Sequence, residues 1–283
     1  MGSVISNGLT NGAIYAIVAF GFVLIYRNSG VMNFAHPQIG MIGGFFFFSL
    51  WVEQSWPYVL ALICGVGLSA LISLGTRQLL APQETNPLNM LLGTLGVGGI
   101  LTWYALDTWG STPLFVPSVG SGVVVEFWDM RFRGAALLVI GSLVVVTVGA
   151  GLFYRYARTG LALRSVADDP IAATYMGIDV GRMSSLTWAV SGALAGLAGV
   201  LVSPFINMDP FFMSLLFLRA LTAALLAGMR SLPLTALAGV SIGILEAQLV
   251  RETSEPGLTE LVLVIVIIAV LLIRPQSLGR RTA

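Results

Sequence analysis

Apolar residues run almost unbroken through nine stretches of this chain, each about the length a helix needs to cross roughly 30 Å of hydrocarbon. The stretches cover residues 7–26, 31–52, 57–75, 88–106, 135–153, 183–206, 211–229, 233–250 and 258–273. Continuous runs rather than ten-residue alternation predict helices and argue against a β-barrel. The pattern therefore predicts an all-α, polytopic transmembrane helix bundle over residues 1–283, a single domain with eight or nine spans, some of them broken.

Two polar segments interrupt the pattern, 107–133 and 155–182, and neither is long enough for a catalytic domain. The first mixes turn formers with aromatic residues and reads as a connecting loop, with docking of an external partner as the minor alternative. The second, RTGLALRSVADDPIAATYMGIDVGRM, predicts a short helix from Pro170 to Met176. Asp168 or Asp169 caps it, Pro170 fits its first position and Gly177 suits its end. Ile171, Ala172, Ala173, Tyr175 and Met176 are too few to span a membrane. This apolar knob seats in a partner, lies flat on the lipid surface or packs on the ends of the bundle.

Composition fixes the solvent. Of 283 residues, 57% are apolar and only 10% charged, against about 25% charged in soluble domains, which excludes a soluble enzyme. All 14 cationic residues are arginine, so a Walker A loop, which needs its lysine, is excluded. A net charge of +1 without a basic block argues against nucleic acid. The single Cys64 offers neither an internal disulfide nor a Cys-based zinc site, and no metal site is expected. MGSVISNGLT carries no positive side chain before the first apolar run, so no removable signal is expected. Met1, Gly2 and Ser6 fit the short myristoylation pattern, which recurs by chance.

Threading nine spans places Arg27, Arg77, Arg155, Arg158, Arg164, Arg182, Arg230, Arg274, Arg280 and Arg281 on one side, against Arg131, Arg133 and Arg251 on the other. The positive-inside rule then predicts an outside N-terminus and a cytoplasmic C-terminus. Glu53, Asp107, Glu126, Asp129, Asp209, Glu252, Glu255 and Glu260 fall outside; Glu84, Asp168, Asp169 and Asp179 fall inside.

Pro37 removes a backbone donor and disfavours helix for His36, so a break is predicted around residues 33–40. Lipid tolerates exposed polar backbone only beside a cavity or within protein. Asn33, His36 and Gln38 become candidates for the translocation path; the alternative for His36, the only histidine, is a hydrogen bond to a neighbouring helix or a place at the inner interface. Arg219 and Glu246 lie deep within spans and are expected to pair, as a structural bridge or a gate, with Asp209 and Pro210 nearby in sequence. Gly192 and Gly196, four apart in SGALAGLAG, predict close helix packing.

These residues carry a resemblance. GLALRSVADDPIAATYMGIDVGRMSSLTWAVSGALAGLAGVL resembles the inner loop and following helix of permease subunits of branched-chain amino acid ABC importers. NGLTNGAIYAIVAFGFVLIYRNSGVMNFAHPQIGMIGG is similar to that family's N-terminal region with its Asn-Phe-Ala-His element, and FLRALTAALLAGMRSLPLTALAGVSIGILEA to its penultimate region. Three motifs in the expected order cover most of the chain.

The resemblance implies a permease whose inner loop supplies a coupling helix to a separate ATPase. On that carry-over Asp168, Asp169, Pro170, Ala172, Ala173 and Gly177 occupy the "EAA" loop of importers, and the flanking Arg164 and Arg182 either meet acidic groups of the ATPase or are ordinary surface charges. Ala173→Glu is then expected to bury a charge in the docking cleft and uncouple uptake. No cofactor is expected on this chain; ATP and magnesium belong to the ATPase subunits. A second homologous permease, an extracytoplasmic solute-binding protein and the lipids of a bacterial inner membrane complete the expected partners. Where many members follow the Asn-Phe-Ala-His element with Gly and an acidic residue, this chain has Pro37 and Gln38, so the resemblance does not carry over any role needing a carboxylate there.

Two other functions compete. An intramembrane protease would need a serine and histidine pair, but Ser191 sits in Ala-Val-Ser-Gly rather than a Gly-x-Ser-Gly setting. An ion-gradient-driven secondary transporter would also use broken helices and sparse charges, but needs no motor-docking knob.

Overall fold

The computed structural model describes residues 2–83, 86–120, 122–127, 130–253 and 256–273. The orientation markers Glu84, Asp129, Glu255, Arg274, Arg280 and Arg281, and Met1 of the acylation pattern, lie outside them. The helices are α1 (Gly2–Ser29), α2 (His36–Phe48), α3 (Tyr58–Leu80), α4 (Pro87–Trp109), α5 (Gly134–Tyr156), α6 (Arg158–Asp168), α7 (Pro170–Tyr175), α8 (Val180–Val202), α9 (Phe212–Leu226), α10 (Leu232–Thr253) and α11 (Pro256–Ile273).

The described residues fold as a bundle of helices, as the apolar pattern predicts, but eight or nine full spans is an overcount. Among the described residues six helices are long and apolar enough to cross a membrane: α1, α3, α4, α5, α8 and α10. Phe212–Leu226 and Glu260–Ala269 are apolar but shorter. The reason is local. At 15 residues α9 is roughly 22 Å long, and the positive φ of Gly228 (67°) and Met229 (56°) ends it inside the predicted run. Helix α2 has 13 residues before it widens into a π turn at Ser49–Glu53.

The 33–40 break also shifts. Irregular backbone occupies residues 30–35, and His36 is the first residue of α2 with Pro37 in its opening turn. Proline tolerates that position because the first-turn N–H groups have no partner within the helix.

Helix α1 forms the axis of the bundle, its apolar window almost wholly buried. It packs most extensively on α10, where Gly8 and Gly12 meet the backbone of Ile244 and Val240. Helices α2 and α8 pack backbone to backbone: a Cβ on Gly40 would lie 2.6 Å from the Ala195 carbonyl oxygen. Gly192 and Gly196 press on Ser73 and Ser69 of α3. Small residues thus set the closest crossings, the way helices associate where burial from water offers no drive.

The polar segment 107–133 is more ordered than a plain loop. Strands β1 (Val124–Phe127) and β2 (Met130–Arg133) form an antiparallel hairpin, Val124 opposite Arg133 and Glu126 opposite Arg131. Leu114 and Met208 exchange backbone hydrogen bonds of 2.9 and 3.0 Å, tying this segment to the α8–α9 connection. At the opposite end of the bundle, 155–182 holds two helices; the amphipathic α6 was not legible from the capping signals.

Candidate functional site

Helix α7 stands where Asp169 stops α6 in extended geometry (φ −153°, ψ 103°) and caps the next helix. Asp169 Oδ1 accepts hydrogen bonds from Ile171 N at 2.9 Å and Ala172 N at 3.0 Å, and Pro170 takes the first position. Gly177, at φ 81°, closes the other end: its N–H donates to the Thr174 carbonyl and the Ile178 N–H to that of Ala173, both at 3.0 Å. This is a Schellman closure, which needs the left-handed backbone glycine adopts freely. Of the two candidate caps, then, Asp169 serves; Asp168 ends α6.

The knob leaves Ile171, Tyr175 and Met176 uncovered, at 68%, 88% and 67% exposed. Ala172 is exposed as well, while Ala173 is fully buried within this chain. Placing Ala173 in a docking cleft is therefore incorrect, because its methyl is turned inward. Asp179, which caps α8 through Arg182 N at 2.9 Å, also holds the Arg182 guanidinium at 3.0 Å, with the Arg182 side chain still 84% exposed. Arg164 is exposed, with its guanidinium 6.0 Å from the Tyr154 ring.

Asn33, His36 and Gln38 do come together around the break, but two of them are sealed inside the chain. Asn33 is 1% exposed and His36 0%. Asn33 Oδ1 accepts from Ala35 N at 3.0 Å, and Thr94 Oγ1 from Phe34 N at 3.2 Å, so side chains satisfy backbone that no helix serves. The His36 ring packs on Phe22 with centroids 4.5 Å apart, and its Nδ1 lies 3.2 Å from Ser191 Oγ, which also donates to the Gly21 carbonyl at 3.0 Å. Gln38 is half-buried; its Nε2 donates to Ser214 Oγ of α9 at 3.4 Å.

The third constellation links four helices. Arg219 of α9 meets Glu246 of α10 through Nη2 at 2.8 Å and Nε at 2.9 Å, and Glu260 of α11 at 2.9 Å. Tyr15 of α1 donates to the second Glu246 oxygen at 2.6 Å. The Arg219 and Glu246 side chains are only 15% and 12% exposed, a depth at which a charge persists only when paired and hydrogen-bonded. The expected pair is present, and Glu260 and Tyr15 are additions. Glu260, counted by threading among the external carboxylates, lies near the start of the predicted 258–273 run; Tyr15 carried no signal within an apolar run.

Comparison with known proteins supplies the family context. Residues 4–271 match the family described as branched-chain amino acid transport system / permease component. The chain is similar to the high-affinity branched-chain amino acid transport system permease protein LivH of Salmonella typhimurium strain LT2 and of Escherichia coli K12. Each is 30% identical, over 97% of this chain and 94% of the relative. BraD of Pseudomonas aeruginosa, with the same description, is 28% identical over 85% of this chain and 83% of its own. The solved PsaBC from Streptococcus pneumoniae in complex with Fab overlays at a TM-score of 0.48 and 17% identity, covering 94% of this chain and 89% of that one.

Proposed function

Because this chain belongs to the branched-chain amino acid transport permease family, we propose that it is the membrane subunit of an ATP-driven importer in which α7 is the element gripped by the ATPase. The observation that carries the reading is a six-residue helix, capped at both ends, that leaves Ile171, Tyr175 and Met176 uncovered. A rigid insert of this kind converts closure of a partner cleft into rigid-body movement of α6 and α8.

On this reading the α6–α7 end faces the cytoplasm and the start of α1 the exterior, supported by Arg27, Arg155, Arg158, Arg164 and Arg182 at the former. ATP and magnesium are held on separate ATPase subunits. A second homologous permease completes the pathway, and an external binding protein delivers branched-chain amino acids or related small solutes. The break at Asn33, His36 and Gln38 forms the middle of the path, closed in this conformation.

The test co-expresses the chain with its ATPase, second permease and binding-protein partners and replaces Tyr175 with Glu. The expected result is normal insertion with loss of ATP-dependent leucine uptake and of cross-linking between residue 175 and the ATPase. Full uptake in Tyr175→Glu would refute docking through α7. Leucine uptake by this polypeptide alone, driven by an ion gradient without ATP, would instead establish the secondary-transporter alternative.

A further inference from the structure

Two cavities adjoin where α1 begins. The wider, about 900 Å³, lies between the first turns of α1 and the β1–β2 hairpin. Its α1 wall is a polar stripe, Ser3, Asn7 and Asn11 at four-residue spacing with Ser6 and Thr10 beside them, while the hairpin contributes Glu126, Arg131 and Arg133. The narrower, about 290 Å³, lies deeper against Ile14, Leu215, Leu216, Asp209, Arg219 and Glu246. Asn11 and Phe205 line both and mark the boundary between them.

Two physical arguments make this a conduit. Amide side chains turned toward hydrocarbon cost several kcal/mol each, whereas the same stripe facing a wet cavity costs little. Charge also changes along the depth. Arg131 and Arg133 outnumber Glu126 at the rim, and Asp209 and Glu246 outnumber Arg219 within. That gradient draws an ammonium inward and keeps a carboxylate at the mouth. The inner chamber has the volume of about ten water molecules, with apolar walls from Ile14, Leu215 and Leu216 beside its charged groups.

We propose that the two cavities form the solute vestibule of this chain: a small α-amino acid passes Asn11 and Phe205 with its ammonium group leading toward Asp209 and Glu246. The sequence-based candidates Asn33, His36 and Gln38 then lie further along, beyond α9, whose Leu215, Leu216 and Arg219 face the inner chamber and whose Ser214 meets Gln38. The proposal rests on the permease reading and names the part of the chain the solute meets.

The experiment uses the assembled complex carrying Cys64→Ser, with Asn11→Cys or, as a control, Val145→Cys on the exposed face of α5. Right-side-out and inside-out vesicles are treated with a charged, membrane-impermeant methanethiosulfonate. Asn11→Cys is expected to react from one side only, to be shielded by leucine with the binding protein, and to lose leucine uptake about tenfold on modification; Val145→Cys is expected to stay unreactive. Asp209→Asn is expected to lower leucine uptake about tenfold, the loss of one charge-assisted hydrogen bond, with complex yield unchanged. An unreactive Asn11→Cys from both sides, or full uptake after complete modification, overturns the vestibule. A reactive, unshielded Asn11→Cys in a complex whose Cys64→Ser parent takes up no leucine overturns the amino-acid assignment and the permease reading together while leaving the aqueous cavity in place.

Discussion

The imidazole of His36 fills the space that a side chain on Gly21 would occupy: a Cβ built there collides with the ring and lies 3.1 Å from Ser191 Oγ. The chain therefore threads its broken segment through a notch in α1 that exists only because residue 21 is glycine. Gly21→Ala is expected to destabilise the protein by about 1–3 kcal/mol through overpacking. Adding His36→Ala should restore part of the loss, since it removes the colliding ring. Thermal unfolding in detergent reads both, and a Gly21→Ala protein as stable as the parent would show that the ring has room to move.

The Arg219 network makes an asymmetric prediction. Removing one partner of a buried pair leaves an uncompensated charge and costs about 3–5 kcal/mol. Arg219→Leu should be the more damaging change because it strands both Glu246 and Glu260, whereas Glu246→Gln leaves Arg219 its bond to Glu260. Arg219→Leu combined with Glu246→Leu should recover much of the stability. Denaturation in detergent checks the order, and equal losses for the two single changes would contradict it.

Gly199 and Gly149 should respond oppositely to alanine. A Cβ on Gly199 runs into the backbone of Gly40 and would pry α2 from α8, while nothing lies within 4 Å of one on Gly149. Gly199→Ala is expected to lower the unfolding temperature; Gly149→Ala is expected to be neutral or to add up to about 1 kcal/mol from helix propensity. Paired thermal scans decide the matter.

On α7, stability and transport should separate residue by residue. Asp169→Ala removes the cap and should cost the local helix about 1 kcal/mol. Ile171→Asp changes an exposed side chain and should leave the unfolding temperature unchanged while ATP-driven uptake falls. Ala173→Glu forces a carboxylate into this chain's own packing and should lower stability. Equal unfolding temperatures for Ala173→Glu and the parent would show that residue 173 is not packed inward.

Much of the architecture was readable in advance because it depends on local chemistry. Apolar length located a helix near each of the nine stretches, and the sequence Asp-Pro followed by Gly177 marked both ends of α7 almost to the residue, since caps and turns are satisfied within a few positions. Span counting failed where it needed more than composition: whether residues 211–229 cross the bilayer depends on the left-handed turn at Gly228 and Met229, and hydropathy does not record backbone angles.

The site was less legible, for a related reason. Arg219 and Glu246 announce themselves because a charge within hydrocarbon must find a partner. That the cluster also takes in Tyr15, 231 positions from Glu246, emerges only once α1 and α10 lie side by side. Likewise the amino-acid order specifies that Ala173 is small and apolar, but the direction its methyl faces is fixed by how α7 docks on its neighbours. Solvent, element type and capping are thus properties of neighbouring residues along the chain, whereas burial, pairing and cavities arise from contacts between distant segments, which come into being only when the helices pack.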